Sequence, residues 1–259
     1  MEKKKAILVV SFGSSYESAR REQIEPIEKL IETTYTDYKV VRAFTSNIII
    51  RKLKEKNILI DTPKEALKRL IEEGFEHIIV QPTHIIPGFE YDKIKTIVNI
   101  MNHNKNVHIT LSCPLLYHKN DYKEVIEALK TYIPSVDTNE AVVLLGHGTE
   151  HYANTSYYYL QYLLENEQLP ILIGTIEDGI ESIIKRLKKG KYSKAVLMPF
   201  LVVAGDHAHN DMAGDEEDSW KNVLIANDIE VRTITKGLGG NQAIRKIYLN
   251  HLKEAVNNQ

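Results

Sequence analysis

The chain has 259 residues, 43% of them apolar, enough for two lobes of ordinary domain size around a substantial core. Lysine and arginine total 33 against 35 aspartates and glutamates, a net charge of -2, so the balance offers no support for a nucleic-acid or anionic-membrane surface. The lone cysteine, Cys113, excludes an intrachain disulfide framework and any Cys-rich zinc or iron–sulfur site.

The start, Met1-Glu-Lys-Lys-Lys5, is basic, but the apolar run after it, 6–10, is too short for a secretory signal. That run is the first expected strand. It leads into Ser11-Phe-Gly-Ser-Ser15, a small-residue turn whose backbone N–H groups can hold a carboxylate or phosphate. The turn lacks G-x-G-x-x-G and a P-loop lysine, so it reads equally as a tight connection. Ile24, Ile27, Leu30 and Ile31 stripe a first helix, which Pro26 kinks or delays. A strand is expected at 39–43. A helix follows at 63–73, with Thr62 and Glu65 as a capping box, Pro63 in its first turn and Gly74 at its end. Strands at 77–81 and 107–112 come next, with Cys113 a small, half-buried residue after the second. Asp121 caps a helix over 122–132. Pro134, Ser135 and Asp137 then mark a linker over 132–140.

The second half repeats the plan. Strands are expected at 141–145, 171–174, 195–200 and 230–234, with helices at 179–188 and 242–256. The last helix buries Ile244, Ile247, Tyr248 and Leu252. Most strands are short β-branched runs without polar alternation, as in a parallel sheet covered on both faces. The longest strongly apolar stretch, 195–205, is well below the roughly 18 residues needed to span a bilayer. The expectation is a soluble cytoplasmic α/β protein. It consists of two similar doubly wound parallel-sheet lobes related by internal duplication, 1–135 and 136–259, with the active site in the cleft between them.

The duplication is visible in the letters. Ala6-Ile-Leu-Val-Val-Ser-Phe-Gly-Ser14 lies over Ala141-Val-Val-Leu-Leu-Gly-His-Gly-Thr149, so His147 falls on Phe12. Residues 77–90 lie over 194–207, so Glu90 falls on His207. Ligands of open α/β sheets bind outside the carboxyl ends of the strands, so these exits carry the candidate chemistry. His147 follows a buried strand between two glycines that allow close approach of a ligand. Glu177 follows the strand at 171–174; it is either a favourable charge at a helix N-terminus or a third ligand beside His147. His207 and Asp211 share one helical face and His209 points elsewhere, which makes His207 the better ligand. Glu90 alone would be an exposed loop acid; the repeat makes it a cleft residue. His84 is open between cleft and core. His77, His103, His108, His118, His151 and His251 read as structural or surface groups, and Asp215-Glu-Glu-Asp218 as a solvated helix start. Two histidines and a carboxylate, without thiolate, suit Co²⁺, Ni²⁺, Fe²⁺ or Zn²⁺ and leave positions open for exchange.

Over nearly its whole length the chain resembles the anaerobic, CbiK-type cobalt chelatases. The resemblance rests on Val10-Ser-Phe-Gly-Ser-Ser15, Gln81-Pro-Thr-His-Ile-Ile86 with Glu90, Leu145-Gly-His-Gly-Thr149, Val203-Ala-Gly-Asp-His-Ala-His-Asn-Asp-Met-Ala213 with Asp218-Ser-Trp220, and Gly237-Leu-Gly239. It implies a chelatase-like pair of lobes that inserts Co²⁺ into the tetrapyrrole sirohydrochlorin in cobalamin biosynthesis. It also implies His147 as catalytic base and metal ligand, His207 and Glu177 completing the metal site, and Glu90 facing them from the other lobe. The Ser11, Phe12, Gly13, Ser14 turn is expected to contact the tetrapyrrole. Co²⁺ enters as substrate metal, no organic cofactor is expected, and neither nucleic acid nor membrane is a partner. Association into a homo-oligomer stays open. A nickel or iron chelatase, a tetrapyrrole or metal carrier, and a metal-dependent hydrolase are the alternatives.

Overall fold

The computed structural model describes residues 4–103 and 107–258; the first three residues of the basic start lie outside it. Among the described residues, eight strands form two sheets. The first holds β1 (Lys5–Ser11), β2 (Lys39–Phe44), β3 (His77–Pro82) and β4 (His108–Leu111) in the order β2-β1-β3-β4. The second holds β5 (Glu140–Gly146), β6 (Ile171–Thr175), β7 (Lys194–Pro199) and β8 (Glu230–Thr233) in the order β6-β5-β7-β8. Every pairing is parallel. The two sheets also share one register. Ala6 pairs with Ile78 as Ala141 pairs with Ala195, the offset at which the two halves of the sequence overlay.

Both faces of each sheet are covered at its two central strands, which is why β1, β3, β5 and β7 carry largely apolar, buried runs, while the edge strand β8 is mostly polar and exposed. Ala6, Leu8 and Val10 pack outward on α4 (Pro63–Glu72) and α5 (Phe89–Met101). Ala141, Val143 and Leu145 pack outward on α8 (Glu181–Lys189) and α9 (Trp220–Ile225). Ile7 and Val9 of one sheet, with Val142 and Leu144 of the other, belong to a single core. That core is filled by α2 (Glu25–Thr34), α6 (Lys119–Tyr132), α7 (Thr155–Asn166) and α10 (Gln242–Asn257). The last helix returns to pack on α6, α2 and β3 of the first half. Among the described residues no helix is long and apolar enough to cross a membrane.

Three helix starts differ from the sequence expectation, that of α8 by two residues, at Glu181 against 179. The first helix begins at Glu17, well before Pro26: α1 (Glu17–Ala19) passes through a π-helical turn, Arg20–Ile24, into α2. Proline lacks an N–H and its ring crowds the carbonyl four residues back, so the wider turn just ahead of Pro26 accommodates it without ending the helix. The helix α6 begins at Lys119, three residues before the expected start. Asp121 sits in its first turn and its Oδ2 accepts the N–H groups of Tyr117 (2.9 Å) and His118 (2.6 Å). The capping box at Thr62 and Glu65 forms as expected, with Glu65 N–H donating to Thr62 Oγ1 at 3.3 Å and Thr62 N–H to Glu65 Oε2 at 2.9 Å. Ser46 caps α3 (Asn47–Lys54), accepting from Ile49 N–H.

Candidate active site

A cavity of about 560 Å³ opens beyond the carboxyl ends of both sheets, where the exits of β1, β3, β5 and β7 meet. Phe12, Ile48 and Phe89 on its walls are 40%, 59% and 51% exposed. Large apolar side chains left open beside a concavity mark a ligand wall. Of the expected site residues, Ser11, Phe12, Gly13, Ser14, Glu90, His147 and His207 all line this one space.

His147 leaves the end of β5 on a backbone that only glycine allows. Gly148 has φ +78°, and a Cβ there would lie 2.6 Å from Thr175 Oγ1 and 2.7 Å from Glu177 Cβ. Gly146 abuts Tyr157, whose ring would lie 2.7 Å from an added Cβ. The His147 Nδ1 lies 3.0 Å from the Gly148 carbonyl oxygen. A carbonyl only accepts, so this contact puts the proton on Nδ1 and the lone pair on Nε2. His207 follows the same logic: its Nδ1 is 2.5 Å from Asp211 Oδ2, which again leaves Nε2 as the lone-pair nitrogen. A carboxylate behind an imidazole is the usual way to fix the ring and raise its basicity toward a metal. The spacing of four that pairs them survives, although the segment Ala208–Met212 is π-helical. The two rings face edge to face-plane at 4.7 Å between centroids. His209 turns away and packs on Tyr16, 4.7 Å between ring centroids.

Glu177 touches this arrangement through its backbone, its N–H donating to His147 O at 3.2 Å. Its side chain is exposed and is not on the cavity lining. Among the described residues no three His, Cys, Asp or Glu side chains form a preassembled metal cluster.

Glu90 enters from the other lobe, in the first turn of α5. Burial pushes its carboxyl up, but Lys93, the Thr45 hydroxyl and His84 outweigh that and hold it below the ordinary carboxylate range. Lys93 Nζ lies 2.5 Å from Glu90 Oε1. Beside them on the wall, His84 has both ring nitrogens sealed from solvent without a hydrogen-bond partner. Burial lowers its pKa to about 4, and Glu90 only partly opposes this. His84 is therefore a neutral imidazole of the cleft wall.

The 11–15 turn is braced from within. Thr83 Oγ1 donates to Ser11 Oγ at 2.9 Å, Tyr16 N–H to Ser14 Oγ at 3.2 Å, and Arg20 to Ser14 O at 3.0 Å. Gly13 has φ +100°, and a Cβ there would strike the Phe44 ring at 2.5 Å. The Ser11 and Ser14 hydroxyl oxygens accept bonds from within the protein, and Phe12 is the large side chain that the turn presents. Cys113 is outside the cavity lining, and burial pushes its thiol up to about 12.

Contacts across the cleft were not legible in the sequence. Ala204 N–H donates to Gln23 Oε1 at 2.6 Å. Tyr248 Oη donates to Thr83 O at 3.0 Å, and Lys52 pairs with Asp206 at 3.1 Å. His151, expected to be merely structural, pairs through Nε2 with Asp92 at 3.2 Å and packs its ring on Phe89. These residues are far apart in the chain and carry no motif. Only for Lys93 was a signal available, since it stands one helical turn after Glu90.

The family model for cobalt chelatase (CbiK) matches residues 5–257. A sirohydrochlorin cobaltochelatase of Salmonella typhimurium is 39% identical over 257 residues, covering 98% of this chain and 97% of the relative. The sirohydrochlorin cobaltochelatase CbiKC of Nitratidesulfovibrio vulgaris is 32% identical, covering 98% and 91%. In fold the chain is similar to the sirohydrochlorin chelatase SirB of Bacillus subtilis subspecies spizizenii in complex with cobalt, with TM-score 0.65, 17% identity and coverage of 98% and 96%. SirB from Bacillus subtilis with Fe³⁺ gives TM-score 0.66 at 18% identity, covering 98% and 97%. With residues 5–257 matched by the family model and two relatives 39% and 32% identical along nearly the whole chain, the chain belongs to the CbiK family of cobalt chelatases.

Proposed function

We propose that this chain is a sirohydrochlorin cobaltochelatase and that the cleft is where Co²⁺ enters the macrocycle. The observation that carries the reading is the pairing of His147 and His207. Each has its Nδ1 held by an acceptor, on one wall of an apolar cavity whose other lobe supplies Glu90. The reaction replaces two pyrrole N–H protons by one Co²⁺, so the site must deliver a divalent ion and remove two protons. The lone pairs on His147 Nε2 and His207 Nε2 suit the first task, and Glu177, whose backbone N–H bonds His147 O, is the carboxylate the family resemblance adds to them. Glu90 and a histidine released as the metal leaves accept the protons. The apolar walls suit the flat face of the macrocycle, with Phe12 against it. The protein contributes positioning and exclusion of water, and no organic cofactor enters the scheme.

The lobe division at 135/136 and a cytoplasmic location belong to this reading as well. The repeated strand order supports the division; the C-terminal helix then acts as an arm of the second lobe laid on the first.

The test is the absorbance of sirohydrochlorin with limiting protein and excess Co²⁺, Ni²⁺ or Fe²⁺ in separate reactions. Many turnovers above the uncatalysed rate, fastest with Co²⁺, are expected. A spectral change that stops at one equivalent of protein would establish a carrier instead. His147→Ala should lose roughly two to four orders of magnitude in turnover; near-normal insertion would remove His147 from the mechanism.

A further inference from the structure

We infer that Lys93 grips a peripheral carboxylate of the tetrapyrrole, and that in doing so it gives up its ion pair with Glu90. The inference rests on the cleft being the sirohydrochlorin site. Sirohydrochlorin carries carboxylates around its rim, and apolar walls cannot stabilise them. Among the residues lining the cavity, Lys93 is the one lysine or arginine. Its charge is already matched, with Nζ 2.5 Å from Glu90 Oε1. The pair is built to exchange. Lys93 is 67% exposed and Glu90 31%, and ion pairs so open to water are held weakly. An incoming carboxylate offers the ammonium the same charge-assisted hydrogen bond. Glu90, one helical turn away, is then left ionised and unpaired, facing the space into which the cation is delivered. The same side chain that recognises the tetrapyrrole thus holds the Glu90 carboxylate in reserve until the tetrapyrrole has arrived. Lys52 and Asp206 repeat the motif, a second lysine neutralised by a second lining carboxylate at 3.1 Å.

The experiment measures two separate bindings to intact protein: sirohydrochlorin without metal, by absorbance titration, and Co²⁺ without tetrapyrrole, by calorimetry. In Lys93→Gln the tetrapyrrole Kd should rise about tenfold, the scale of one charged hydrogen bond, while Co²⁺ binds several-fold more tightly. In Glu90→Gln both signs should reverse. Lys93→Arg should restore tetrapyrrole binding. Lys95→Gln removes an equal charge from an exposed position of α5 off the cavity lining, and should change neither. An unchanged tetrapyrrole Kd in Lys93→Gln overturns the inference, and so does an equal effect of Lys95→Gln, which would mean general charge alone. Failure of the wild-type protein to bind sirohydrochlorin would instead overturn the reading of the cleft.

Discussion

Replacing His84 by glutamine should abolish an acid-dependent loss of stability. Both ring nitrogens are sealed and unpartnered, so a proton taken up there would be charged without water or acceptor. Burial therefore holds the ring at a pKa of about 4, against 6.5 for the ordinary group; Lys93 adds to the lowering, and Glu90 opposes it without prevailing. As pH falls, the unfolded chain protonates His84 near 6.5, whereas the folded protein declines the proton until near 4. Over that interval the unfolded state binds more protons, so stability falls with falling pH. Linkage puts the loss at about 2 kcal/mol by pH 5 and about 3 kcal/mol by pH 4, levelling off below the folded-state pKa. Denaturant unfolding of wild type and His84→Gln at about pH 7.5, 6 and 5 isolates the effect, because every other titrating group is common to both. The stability gap between the two proteins should move by about 2 kcal/mol in favour of the variant from pH 7.5 to pH 5. Parallel pH profiles would refute the argument, since they would mean that His84 protonates in the fold as readily as outside it.

Three further outcomes follow from single contacts. Asp211→Asn keeps the shape but replaces the carboxylate behind His207 Nδ1, and the Co²⁺ dependence of insertion should weaken by roughly 10–100-fold; an unaltered dependence would show that Asp211 does not orient the ring. Gly148→Ala should lose roughly 1–3 kcal/mol of stability in thermal melts and displace His147, because alanine is strained at φ +78° and its Cβ meets Thr175 and Glu177. Gly239→Ala would place a Cβ 1.9 Å from Gln23 O on the π-helical turn, so the segments must part; a loss of about 1–3 kcal/mol is expected, and a wild-type melting temperature would contradict the packing.

Much of the fold could be read from the letters because most strands are short, largely apolar runs without polar alternation, which a sheet covered on both faces buries. The register of the two halves was also legible. A one-residue slip would turn Ala6, Leu8 and Val10 from the outer core to the inner, and the matching pattern at Ala141, Val143 and Leu145 rules that out. The helix starts were less legible. Pro26 signals a break, and whether the chain ends the helix or widens one turn is settled by what packs there: Gly239 against the Gln23 carbonyl and Ala204 on its side chain. Asp121 looks like a cap from its type, yet its place in the first turn depends on where His118 and Tyr117 lie.

At the site, the residue types and their strand exits were determined by sequence alone: His147 between glycines, His207 four residues before Asp211, and Glu90 at the equivalent exit of the first half. These are local facts, written in short-range spacing and in a repeat. What only the tertiary structure decided is how those exits meet. It joins His147 to His207, leaves the Glu177 side chain off the cavity wall, seals both nitrogens of His84, and ties Lys52 to Asp206 and His151 to Asp92 across the cleft. Each of these depends on two segments separated by tens of residues arriving at one point. The packing of both sheets on one shared layer of helices brings them there, and no local spacing encodes it.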